Sequence, residues 1–135
     1  MNKRLLGLLG TCLLVPWHVQ AHHSWTVGYQ VGDIVELEGV VKEIWFASPH
    51  TRIIIEVTSE AGESELWEGE TWPAGVLTRR GWTYDKVKEG DTIVLVGERA
   101  KGTRPGLHIQ IIARPSDGWE AFVGLGSRDN FSLGN

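Results

Sequence analysis

"DIVELEGVVKEIWF", residues 33–46, is the stretch on which the fold turns. Apolar and charged residues alternate through it. Val35, Leu37 and Val41 fall on one side, and Glu36, Glu38 and Lys42 on the other. A period of two marks a half-buried strand rather than a helix. Gly39 interrupts the pattern where a strand would bulge or bend sharply. A long first strand bent at a glycine can take part in both sheets of a small barrel.

After it, "TRIIIEV" (51–57) is β-branched and reads as a mostly buried second strand. Residues 61–63 make a turn, and "SELWEGE" (64–70) returns as a third strand. "TWPAGVLTRRG" (71–81) is the one candidate helix. Pro73 suits its first turn, Gly81 its stop, and Arg79 and Arg80 the negative end of its dipole. A Lys-Glu-Gly-Asp turn (88–91) leads into a fourth strand, "TIVLVGERA" (92–100), and "LHIQIIA" (107–113) forms a fifth. Three strands, a short helix and two strands is the order of an all-β, five-stranded, OB-like Greek-key barrel, with the helix between strands 3 and 4. A generic small barrel or sandwich is the alternative. The domain is expected over residues 22–122, with 123–135 as a flexible Gly- and Ser-rich tail.

The N-terminus reads as a secretory leader. Lys3 and Arg4 precede an eleven-residue apolar run (5–15), Pro16 breaks it, and Val19-Gln20-Ala21 offers a cleavage site after Ala21. The run is too short to span a bilayer, which takes about 20 apolar residues, so no membrane insertion is expected after cleavage. Thr11-Cys12 is a poor lipoprotein box, because threonine fits badly before the cysteine. Removing residues 1–21 discards Cys12, the one cysteine, and excludes disulfide and thiolate chemistry from the mature chain. It also lowers the basic residues from 13 to 11 against 17 acidic ones, a net charge of −6. Such a chain gets no electrostatic help toward phosphate backbones or anionic lipid, so nucleic acid is not an expected partner. The expected location is periplasmic or secreted.

Cleavage after Ala21 would make His22 the first residue. Its free α-amine and imidazole Nδ1 can chelate one metal, and a third nitrogen from His23, His50 or His108 would complete a histidine brace. Copper suits such a nitrogen set. His22, His23 and His50 are the candidate metal residues. The incidental reading is a pair of solvated terminal histidines. His50 follows Pro49 between the first two strands, in a loop that borders the usual OB ligand face. His108 begins a strand and is expected to pack or cap an edge.

Six tryptophans remain in the mature chain. Core filling explains most of them. A binding surface for a ligand or a periplasmic protein partner would draw on Trp45, Arg79, Arg80 and Trp82, with the arginines either clamping an anion or pairing with Glu68 and Glu70. No nucleophile triad, phosphate loop or paired carboxylates in a recognisable frame argues for an enzyme.

Several stretches together resemble a family of small exported bacterial proteins of unknown function (domain of unknown function 6152). They are "AHHS" (21–24), "EGVVKEIWFASPH" (38–50), Trp67 in an acidic strand, "P..VLTRRGWT" (73–83), "GD" (90–91) and "GERAKG" (97–102). Ser48 departs from the asparagine usual before the Pro-His pair. The resemblance implies export and the domain limits, and places His22, His23, His50, Arg79, Arg80 and Trp82 in shared motifs. It implies no reaction. The expected function is a copper-binding periplasmic module. The alternatives are an adaptor docking onto a periplasmic or membrane complex, and a copper-dependent oxidative enzyme.

Overall fold

Residues 33–45 do form a strand, and it starts four residues earlier than the alternation suggests, giving β1 (Tyr29–Trp45). Val35 and Val41 are buried, while Glu36, Glu38 and Lys42 are exposed. The computed structural model describes residues 25–125, Arg128 and Phe131. The expected leader (1–21), His22 and His23 therefore lie outside the described residues.

β1 changes partner where the glycine falls. It pairs antiparallel with β4 (Thr92–Ala100) over residues 34–40 and with β2 (Thr51–Thr58) over residues 40–45. A Cβ on Gly39 would sit 2.8 Å from the Glu56 carbonyl oxygen, so only glycine lets the strands approach at the bend. The bulge itself comes later, between Val41 and Glu43.

β3 (Ser64–Thr71) pairs along its whole length with β2, then runs parallel to the start of β5 (Gly106–Arg114) through Glu68, Gly69 and Glu70. β5 returns to β4 antiparallel. The ring order β1-β2-β3-β5-β4 closes the OB-like barrel expected from the sequence. A sixth strand, β6 (Trp119–Phe122), is added to the outside edge of β5. Its four residues carried too little periodicity to be read as a strand.

The barrel interior is filled by Ile53, Ile55, Ile93, Leu95, Leu107 and Ile109, all fully buried. Helix α1 (Ala74–Arg79) contributes Leu77 to the same core. It ends in a Schellman turn. The Trp82 amide donates to the Leu77 carbonyl (3.0 Å), the Gly81 amide to the Thr78 carbonyl (3.3 Å), and Gly81 takes φ +90°. That turn folds Trp82 back beneath the helix.

A second apolar cluster lies on the opposite face of β4 and β5. Val94, Val96, Ile111 and Ala113 pack there with Phe131, and Phe122 joins them. The packed body thus runs beyond the expected boundary at Phe122. Val123 is fully buried, and the amides of Val123 and Gly124 donate to the Gln110 carbonyl (2.8 and 3.1 Å). Among the described residues no helix is long and apolar enough to cross a membrane.

Candidate functional site

One mouth of the barrel gathers the end of the β1–β2 loop, the end of β3, the β4–β5 loop and the start of β5. The parallel β3–β5 pairing sets Glu70 opposite His108, and the β2–β3 pairing sets it opposite Arg52. A short 3-10 turn, Trp25–Val27, precedes β1 and closes the far side. Between them lies a cleft of about 840 Å³, within the range of ordinary small-molecule sites. Trp25, Tyr29, His50, Glu70, Trp72, Arg104 and His108 all line it.

Glu70 is the hub of its polar side. One carboxylate oxygen contacts Nδ1 of His50, and the other accepts a hydrogen bond from the Tyr29 hydroxyl (3.1 Å). Burial first and the Glu70 charge second push the Tyr29 hydroxyl up to about 12, so it stays a donor at neutral pH. Arg104 bonds to Glu68 (3.3 Å) and reaches the Tyr29 oxygen (3.4 Å), with its guanidinium over the Tyr29 ring.

His108 is the buried member, 6% exposed. Trp25 stacks on it, with ring centroids 5.3 Å apart and planes 13° apart. Tyr29 and Trp72 contact it at 5.4 and 6.2 Å. The Gln110 amide nitrogen lies 2.8 Å from its Nδ1. An amide nitrogen can only donate, so Nδ1 accepts and the proton of the neutral ring sits on Nε2. Desolvation lowers the His108 pKa to about 4 against the opposing pull of Glu70, so the ring is neutral at pH 7.

The other sequence candidates divide. His50 is at the cleft. Trp45 is 40% exposed on the outer face of β1, with the Arg52 guanidinium 4.9 Å from its ring centroid. Trp82, expected at a binding surface, is instead fully buried against Phe46, because the Gly81 turn draws it inward. Arg80 donates to the Val123 and Gly124 carbonyls and lies over the Trp72 ring, tying the helix end to the chain beyond β6. Arg79 is exposed at the end of the helix. The pairing of Arg79 and Arg80 with Glu68 and Glu70 does not occur, since Arg104 takes Glu68 and His50 takes Glu70. Among the described residues, no three His, Cys, Asp or Glu converge as a ligand set.

Sequence reading missed Tyr29 and Arg104 and gave Glu70 only as an arginine partner, whereas His108, expected to pack or cap an edge, is packed among aromatic rings. The signal for Glu70 was present in "SELWEGE", where Glu68 and Glu70 share one face of a strand. The contact with His108 depends on the β3–β5 pairing, which no local pattern reports. No curated protein matches the chain. A family model described as "Family of unknown function (DUF6152)" matches residues 12–109, most of the chain, and the protein belongs to that family.

Proposed function

We propose that the protein is an exported, periplasmic binding module that holds a transition metal, copper by preference, between its mature N-terminus and His50. The observation that carries this reading is the contact of His50 Nδ1 with the Glu70 carboxylate. Metal-ligating histidines characteristically give their second ring nitrogen to a carboxylate, which fixes the tautomer and leaves the other nitrogen's lone pair for the metal. His50 is exposed at the cleft, so its Nε2 is accessible.

The N-terminal segment supports the same reading. Trp25 lines the cleft with His50, and His22 is three residues before it. Three residues span at most about 11 Å, so the His22 amine and imidazole are tethered within reach of the cleft mouth. His23 is the spare nitrogen donor. His108 is not a ligand in this scheme, because Nδ1 is taken by Gln110 and Nε2 carries the proton. Copper is favoured because nitrogen donors bind it most tightly in the divalent series.

The test is copper titration of protein beginning at His22 against protein with one extra N-terminal residue, and against His50→Ala. Both changes should weaken binding by at least tenfold. Equal affinity of all three would overturn the reading. A docking role draws on a separate observation, the exposed Trp45 under Arg52. It would be favoured if Trp45→Ala abolished capture of a periplasmic partner while copper binding was absent.

A further inference from the structure

The cleft has a second polar group that the metal scheme leaves unused. His108 is more than nine-tenths buried and lines the cleft, yet no described residue bonds to its Nε2. Gln110 holds the opposite ring nitrogen, so the face turned away from Gln110 presents an N–H donor. The Gln110 side-chain oxygen packs against Gly124, where no Cβ would fit, and has no hydrogen-bond partner of its own among the described residues.

Around it the walls are flat and apolar. Trp25 lies parallel to the imidazole, and Trp72 and Tyr29 meet it at steep angles. Such walls favour a planar ring body, since aromatic pairs gain from offset stacking and edge contacts. The charge pattern selects further. Glu70 faces His108 across the cleft mouth, with His50 beside it, and Glu68 occupies Arg104. With the carboxylate near the donor and the arginine already paired, an anionic ligand gains little there.

We propose that this cleft binds an uncharged, planar aromatic small molecule whose carbonyl oxygen accepts the His108 Nε2–H. This ligand is distinct from the metal, and the proposal does not depend on one. A buried donor discriminates against an analogue that lacks the acceptor, because the donor is then left unpaired in the bound state.

Two probes of nearly the same shape test it, α-tetralone with the carbonyl and tetralin without. Binding is followed by NMR titration in excess EDTA, so the result is independent of any metal. In the intact protein α-tetralone should bind about tenfold or more tightly than tetralin, the scale of one buried hydrogen bond. The His108 Nε2–H resonance should move downfield with α-tetralone alone. His108→Phe keeps a ring under Trp25 and should erase the preference while still binding both probes weakly. Trp25→Ala, in the terminal turn outside the barrel, should weaken both probes equally and keeps the test usable if His108→Phe fails to fold. Equal affinity for the two probes, no binding of either, or an unmoved His108 signal would overturn the proposal. Failure of copper binding alone would leave it standing.

Discussion

Glu70 concentrates the chemistry of the cleft in one carboxylate, since it orients His50 and accepts from Tyr29 at once. Under the metal reading, Glu70→Gln keeps an acceptor for the His50 ring but removes the carboxylate charge beside it. Copper affinity should fall by about 10- to 100-fold, as for other outer-shell partners, in a competition titration with a chelator of known strength. An unchanged affinity would remove Glu70 from the site. His108 gives a second expectation, in stability. Its pKa of about 4 lies below the 6.5 of the unfolded chain, so the unfolded state binds the extra proton first as pH falls. The stabilising effect is complete above about pH 6.5, declines as pH falls from 6.5 to 4, and is gone below. A gap of that size corresponds to about 3 kcal/mol. Urea midpoints of His108→Phe should therefore vary less than those of the native protein between pH 7 and pH 4. Parallel profiles would mean that the ring is not the titrating group. Glu70 and His50, the charged groups that face the ring, are present in both proteins, so the comparison differs only in the ring at position 108.

At the scale of elements, close backbone approaches do as much as side chains. Gly97 pairs with Ile109 beside the start of β5, and a Cβ there would come within 2.0 Å of the His108 carbonyl oxygen. Backbone cannot swing aside, so Gly97→Ala must force β4 from β5 and displace His108 with it. A loss of about 3 kcal/mol is expected from overpacking of this kind, read as a lower urea midpoint, together with a weakened Trp25–His108 stack seen in imidazole chemical shifts. Retained stability would show that the strands can separate locally. Elements like these explain how far the sequence could be read. The alternation at residues 33–46, the β-branched run at 51–57 and the Pro73 and Gly81 signals are local, and each placed an element correctly. Trp82 was misplaced for a local reason as well. Its motif looks exposed and basic, but a positive-φ glycine reverses the chain and buries the next residue. The cleft was half legible. His50 lies in a recognisable loop, whereas Glu70, His108 and Tyr29 meet only through barrel closure.

Across the whole molecule, the barrel is buried on two sides, and the second side depends on chain beyond β6. The closed barrel has its interior core, while Val94, Val96, Ile111 and Ala113 form another on the outer face of β4 and β5. Phe131 packs on that outer cluster and is only 9% exposed. Val123 belongs to the interior core, and its carbonyl accepts from the Trp72 indole (2.7 Å) as well as from Arg80. The segment therefore ties the outer cluster, the helix end and one wall of the cleft together. Two changes separate these roles. Phe131→Ala removes a buried ring from the outer cluster and should cost about 3 kcal/mol, leaving Trp72 and the cleft as they are. A chain ending at Phe122 loses Val123, both acceptors of Arg80 and the partner of Trp72. It should be destabilised further and should also lose the Trp72–His108 contact, so that His108 exchanges its Nε2 proton faster with solvent. Thermal unfolding followed by tryptophan fluorescence, with proton exchange at His108, distinguishes the two. If the shortened chain matched Phe131→Ala in both measurements, the link between the end of the chain and the cleft would be wrong, and the outer cluster would be a stabilising cover alone.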